Sequence, residues 1–191
     1  MNTLKAEKRN LNMKAKKLRR EGFVTGNVFG REIKESMPVQ MVQAEAERFL
    51  KQYGKGSRIL LDVDGQTMNV LVKDIAFDPL KRQILEVDFQ ALVQGEKVHS
   101  TAEIVLLNHD KVTTGVAEQL LEEISFKALP EALVGKIEVD VGNMRAGDTI
   151  KVKDLPIASS EGIDLLTDPE ADVVTVFTVH NTEDTDETEE Q

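Results

Sequence analysis

Apolar and polar residues alternate in short segments along most of this chain, and that alternation predicts β-strands. Asp64-Gly65 separates two of these segments and is typical of a tight hairpin turn. In the first half of the chain the pattern predicts strands within residues 1–12 and at 24–31, 57–63, 67–75 and 84–93.

Two segments of the first half depart from this alternation. Residues 43–53 are rich in helix-forming residues, place Ala46, Phe49 and Leu50 on one face and are followed by a glycine, so they predict a helix. The basic segment 13–22 predicts either one or two helical turns or an extended loop. One clear helix among several antiparallel strands indicates a small β-barrel or a β-sandwich.

The second half of the chain is predicted to be almost wholly β. The short polar segment 93–97 marks a change in composition, and we place a domain boundary between residues 93 and 94. The last ten residues, 182–191, hold six acids and no apolar residue, which predicts a disordered tail after a second domain at 94–181. Further strands are predicted at 102–107, 124–128, 137–141, 150–153 and 173–179. The expected fold is mainly β with a few short helices.

Composition narrows the chemistry available to this chain. Aromatic residues make up 4% and there is no Trp, so the cores must be aliphatic. The absence of Cys removes disulfides, thiolate metal sites and cysteine nucleophiles together. No segment approaches the roughly 20 apolar residues that a membrane span needs. We therefore expect a soluble cytoplasmic protein without a membrane partner.

Charge is divided unevenly between the two halves. Residues 1–93 hold 17 Lys and Arg against 12 Asp and Glu, a net +5, whereas residues 94–191 hold 7 against 22, a net −15. Eight of the basic residues lie in the first twenty positions, where Glu7 is the one acid. Such a cluster suits a polyanion such as a nucleic acid, although a solvated basic tail has the same composition. Phe29, the single aromatic expected to be exposed, favours nucleic acid because it can stack on a base.

The sequence offers no constellation for catalysis or cofactor binding. Acids at the predicted hairpin and strand ends are typical of solubilising positions, and no nucleotide-binding or hydrolase motif is present. His99, His109 and His180 are too widely spaced to suggest a metal site. We therefore predict that the chain is not an enzyme and needs no cofactor. Asp88 stands apart, because it lies on the polar face of a predicted strand that can meet a partner.

Several segments carry a family resemblance that covers about residues 3–180 in order. It resides in Lys16-Lys17-Leu18-Arg19-Arg20-Glu21-Gly22, Val28-Phe29-Gly30, Val72-Lys73-Asp74-Ile75 and Glu86-Val87-Asp88-Phe89. These resemble the signatures of bacterial large-subunit ribosomal protein twenty-five. The later segments Ala128-Leu129-Pro130 and Ile137-Glu138-Val139-Asp140-Val141 are similar to the C-terminal β domain of its long form, general stress protein Ctc.

The resemblance implies an N-terminal β-barrel domain at 1–93 that binds 5S ribosomal RNA in the large subunit. Neighbouring ribosomal proteins are candidate partners of the C-terminal β domain. The alternative is a stress-linked protein-binding module with weakened RNA binding, which uses its acidic C-terminal domain on basic partners. By position, the resemblance assigns RNA contacts to Arg9, Lys14, Lys16, Lys17, Arg19, Arg20, Phe29, Lys73 and Asp88.

The sequence also departs from the family pattern on the expected contact face. Phe29 replaces a Tyr, Ala76 and Asp78 replace Gln and His, and Glu86 replaces a His. Two added carboxylates near phosphate are expected to cost roughly 1 kcal/mol each before screening by salt. We therefore expect either weaker RNA binding than the family pattern gives or a shifted contact face.

Overall fold

The first half of the molecule is a closed six-stranded β-barrel. The computed structural model describes residues 3–178. The strands follow the order β1-β3-β2-β6-β5-β4, with parallel pairing of β2 with β6 and of β1 with β4, which closes the barrel. The remaining pairs are antiparallel. The elements are β1 (Thr3–Lys8), α1 (Ala15–Arg20), β2 (Phe23–Gly30), β3 (Ile33–Val42), α2 (Gln43–Gln52), β4 (Arg58–Val63), β5 (Gln66–Asp78) and β6 (Gln83–Ala91).

Aliphatic side chains fill the barrel, as the composition predicts. Val24, Val28 and Phe89 are fully buried, and α2 adds Ala46 and Leu50 to the same core. The apolar face of the predicted helix therefore covers the barrel. The structure also selects the helical alternative for the basic segment, and it selects a barrel over a sandwich.

The hairpin between β4 and β5 turns where the sequence predicts it. Asp64 and Gly65 both have positive φ, 51° and 86°. A two-residue turn of this hand requires positive φ at both positions, and Asp-Gly tolerates that conformation.

The second half forms two sheets around one core. A four-stranded sheet has the order β10-β7-β9-β12, and a three-stranded sheet has the order β11-β13-β8. Phe126 and Val139 of the first sheet share a cluster with Val173 and Val174 of the second. The strands are β7 (Val98–Leu107), β8 (Val116–Gln119), β9 (Glu123–Ala128), β10 (Lys136–Asp140), β11 (Thr149–Lys151), β12 (Ile163–Leu165) and β13 (Asp172–Phe177). The mainly β fold with an N-terminal barrel and a C-terminal β domain is thus confirmed.

The strand pattern was incomplete in places. β3, β8 and β12 were not predicted, and β3 carries an exposed polar run and Pro38, which interrupt its alternation. The strand predicted at 150–153 ends earlier, at Lys151. The Asp154 carboxylate accepts a hydrogen bond from the Lys151 backbone N–H at 3.0 Å and turns the chain into one 3₁₀ turn.

The two halves contact each other through one end of the barrel, which we call the domain junction. The Arg58 guanidinium donates to the Pro130 carbonyl at 3.1 Å, and Lys55 Nζ lies 3.0 Å from a carboxylate oxygen of Glu123. Gly56 lies directly against the Thr101 carbonyl, where a Cβ would overlap that oxygen. The domain limits at 93 and 94 stay a prediction, and the tail at 182–191 and His180 lie outside the described residues.

The helices of the described chain, residues 3–178, include none that is long and apolar enough to cross a membrane.

Candidate nucleic-acid interface

Polar side chains form a continuous strip on the outside of the barrel. On β2, Val24 and Val28 belong to the barrel core, Asn27 is half-buried, and Thr25 is 1% exposed. Buried and half-buried residues alternate at 39–41 on β3 and at 87–89 on β6. Backbone pairing places Gln40 beside Thr25, Thr25 beside Glu86, and Asn27 beside Asp88. We call this surface the outer strip, and its members are Thr25, Asn27, Gln40, Glu86 and Asp88.

The basic helix α1 packs beside the outer strip. Leu18 is 1% exposed and anchors the helix. Arg19 Nη1 and the Thr25 hydroxyl both donate to the Leu85 carbonyl, at 3.5 and 3.3 Å. The predicted contact residues Lys14, Lys16, Lys17 and Arg20 are all exposed. The fold therefore presents four cations to solvent next to a polar sheet face.

Three buried polar atoms near α1 and along the outer strip have no hydrogen-bond partner within residues 3–178. They are Arg9 Nε, Gln40 Oε1 and Asp88 Oδ1. Arg9 follows β1, and its backbone N–H donates to the Pro38 carbonyl, two residues before Gln40. A buried polar atom without a partner is costly, and most buried polar atoms in folded proteins have one. This set offers one donor and two acceptors to a ligand on the barrel surface.

Phe29 extends the strip beyond Asn27. It lies on β2 beside Gln90 of β6 and is 36% exposed. It is not the single exposed aromatic that the sequence suggested, because Phe77 and Phe177 are more exposed. A register shift between Ala76 and Phe77 breaks the alternation of β5 there. Phe29 is the exposed aromatic that continues the outer strip.

Lys73 lies apart from the other predicted contact residues. Its Nζ donates to the His99 carbonyl at 2.8 Å across the domain junction. Burial, together with the neighbouring Lys55 ammonium, lowers the pKa of Lys73 from its usual value. The structure thus brings Arg9, α1, Phe29 and Asp88 to one side of the barrel and places Lys73 at its border.

The residues that differ from the family pattern have separate environments. Glu86 is half-buried in the outer strip and accepts a hydrogen bond from the Asn27 amide at 3.1 Å. Asp78 instead accepts from the backbone N–H groups of Leu80 and Lys81, at 3.0 and 3.2 Å, and so holds the β5–β6 turn. Only Glu86 of these two acids lies in the outer strip.

Sequence reasoning missed Gln40 and Asn27 as members of this surface. Gln40 lies on β3, which the pattern did not predict. Asn27 lies within the predicted strand 24–31, and its alternation with Val24 and Val28 was the available signal.

Comparison with known proteins identifies the class of this chain. Residues 4–89 match the Ribosomal L25p family, and residues 97–180 match the C-terminal domain of ribosomal protein TL5. A two-domain chain of this architecture is thus a ribosomal protein.

Curated relatives narrow the class to one family. A large ribosomal subunit protein bL25 of Bacillus pumilus is 32% identical over 93% of this chain and 86% of its own length. One from Caldanaerobacter subterraneus subsp. tengcongensis is 30% identical over 92% of this chain and 88% of its own length. The chain belongs to the bL25 family of large ribosomal subunit proteins, in its long form. Membership of this structural family also confirms the prediction that the chain is not an enzyme.

Proposed function

We propose that this protein is a cytoplasmic component of the large ribosomal subunit that binds 5S ribosomal RNA through the outer strip and α1. The observation that carries the proposal is the set of buried polar atoms, unpartnered within the described residues, beside the exposed cations of α1. Cations alone fit any polyanion. Fixed acceptors beside them suit a ligand that has both phosphates and hydrogen-bond donors.

RNA combines these two kinds of group. Lys16, Lys17 and Arg20 neutralise backbone phosphates and release counterions, which supplies affinity without sequence preference. Asp88 accepts a hydrogen bond from a 2′-hydroxyl or from a base amino group, since phosphate oxygens only accept. Phe29 provides an apolar face for a base or a ribose. Different side chains thus attract the RNA phosphate backbone and recognise its bases and riboses.

A second candidate function is binding of a basic protein partner by the C-terminal domain. Val116 and Phe177 form an exposed apolar pair across β8 and β13, with the exposed Glu118 on the same edge strand. Sedimentation with large subunits at increasing salt separates the two candidates. Loss of the protein at low salt favours the protein-binding module, whereas retention favours the ribosomal component.

Arg20→Ala is expected to weaken binding of 5S ribosomal RNA by the full-length protein. Arg20 is exposed on α1, so its loss removes a cation without disturbing the barrel. The plot of log affinity against log salt has a negative slope, and the magnitude of this salt slope should decrease by about one, which corresponds to one phosphate contact. Gel-shift titrations at several salt concentrations measure both quantities. Lys111→Ala, an exposed cation of the C-terminal domain, is the control and should bind as wild type does.

Glu86→Gln is expected to tighten RNA binding about fivefold at low salt. The amide keeps an acceptor for Asn27 and removes one charge, which is worth about 1 kcal/mol at 4 Å in water. The gain should shrink as salt rises. Asp78→Asn is the matched control, because it removes one charge and keeps the acceptor of the β5–β6 turn. Equal gains in RNA affinity from both variants would contradict the proposal that Glu86, and not Asp78, lies in the RNA contact face.

A further inference from the structure

A cleft of about 350 Å³ opens at the domain junction next to the outer strip. Gln90 lies in its wall and pairs with Phe29 across β6 and β2. Lys73 lies in the same wall and directly precedes Asp74, which faces Asp88 across β5 and β6. We call this space the junction cleft. It is continuous with the barrel face that we propose for RNA.

Cationic side chains line the cleft. Arg31 and Lys73 come from the barrel and Lys97 comes from the segment that joins the halves, while His99 of β7 completes the lining. Glu96 is the one acid among the described residues that line it. The lining therefore carries an excess of positive charge, although the C-terminal half as a whole is strongly acidic.

Two of these cations have carboxylate partners that a phosphate can replace. Arg31 Nη1 lies 2.7 Å from a carboxylate oxygen of Glu96, and Lys97 Nζ lies 2.7 Å from one of Asp164. One side chain of each pair is more than half exposed, Arg31 at 80% and Asp164 at 56%, and their partners Glu96 and Lys97 are 37% and 40% exposed. Exposed pairs of this kind contribute little to stability, because screening and side-chain entropy offset the attraction. Exchanging the carboxylate for a phosphate therefore costs little.

Lys73 supplies positive charge that no carboxylate contacts directly within residues 3–178, although the neighbouring Asp74 carboxylate partly offsets the lowering of its pKa. Its hydrogen-bond acceptor is the neutral carbonyl of His99, and within residues 3–178 no carboxylate lies within 4.0 Å of its Nζ. Burial and the ammonium group of Lys55 lower its pKa. A bound anion would relieve the crowding of these two ammonium groups.

We propose that the junction cleft holds backbone phosphates of the same RNA that binds the outer strip. Arg31, Lys97 and Lys73 would then extend the RNA-binding surface from the barrel to the start of the C-terminal domain. The inference rests on the proposed function. It gives the acidic C-terminal half a contact with RNA at an edge where its neighbours are cationic.

Arg31→Gln and Lys97→Gln in the full-length protein test the cleft, with 5S ribosomal RNA as the probe. Each variant is expected to reduce the magnitude of the salt slope by about one. Its loss of affinity relative to wild type should therefore grow about three- to fourfold between about 200 and 50 mM salt. Glu96→Gln frees Arg31 and removes an acid, so it should tighten binding. Lys111→Gln is the matched control, since it removes an exposed cation outside the lining.

The outcomes separate this inference from the proposed function. If Arg31→Gln and Lys97→Gln bind as wild type does while Arg20→Ala weakens binding, the cleft does not hold RNA and the outer strip still does. A loss of affinity with an unchanged salt slope would also overturn the cleft as a phosphate site. If the wild-type protein does not bind 5S ribosomal RNA, both proposals fall.

Discussion

Asp88→Ala is expected to stabilise the protein and at the same time to weaken RNA binding. Asp88 Oδ1 is buried and has no hydrogen-bond partner within residues 3–178. Removing an unsatisfied buried polar atom recovers about 1–3 kcal/mol of its desolvation cost. Removing the acceptor loses the hydrogen bond from RNA, which for a charged acceptor contributes about 1.5–3 kcal/mol, or roughly 10- to 100-fold in affinity.

The sign of the change in RNA affinity distinguishes a direct contact of Asp88 from an effect of its charge alone. Removing an acid from a surface that meets phosphate should raise affinity if only charge matters. A decrease therefore requires that Asp88 makes a direct contact. Asp74→Ala is the matched control, because Asp74 faces Asp88 across β5 and β6 but is exposed. It should leave stability unchanged and leave affinity equal or higher.

Thermal unfolding and gel-shift titration measure the two effects on the same samples. If Asp88→Ala unfolds at a lower temperature than wild type, the carboxylate has a structural partner and the argument from burial is wrong. If affinity rises for both Asp88→Ala and Asp74→Ala, Asp88 acts only through its charge.

The sequence carried enough information to predict the strands whose alternation is regular. Val87 and Phe89 turn inward and leave Asp88 on the opposite face, as the pattern of β6 predicts. β3 was missed because Pro38 and its polar start interrupt the alternation, and Gln40 was missed with it. Local patterns could not supply the missing strand, since β3 is held by its neighbours β1 and β2 on either side.

The border of the site depends on packing that no local pattern contains. Lys73 belongs to a segment that resembles the family signature, yet its ammonium contacts the carbonyl of His99, 26 positions later. The family pattern assigns Asp78 to the contact face, but its carboxylate caps the turn that follows β5. The Lys73 ammonium is held by a carbonyl that is distant in sequence and reaches it only when the chain has folded, whereas Asp78 is held by the local turn that follows it.

Gly56→Ala is expected to produce the largest loss of stability among the variants considered for the domain junction. Gly56 has φ of +81°, where an L-residue is strained by about 1–3 kcal/mol. A Cβ there would also overlap the Thr101 carbonyl oxygen of β7, and overpacking of this kind costs about 1–3 kcal/mol more. The carbonyl belongs to a paired strand, so it cannot move aside as a flexible side chain would.

Gly95→Ala separates the two causes of this loss. Gly95 has nearly the same φ, +80°, but a Cβ there meets no atom within 4 Å. Backbone strain should destabilise both variants, and only Gly56→Ala should also disrupt the contact between the halves. For a chain of this length each kcal/mol lowers Tm by about 2–4 °C, so calorimetry resolves the difference. Equal melting temperatures for the two variants would mean that the halves separate freely at Gly56. A lower Tm for Gly56→Ala would show that the contact of Gly56 with Thr101 holds the two halves together in solution, and this is the arrangement that the junction cleft requires.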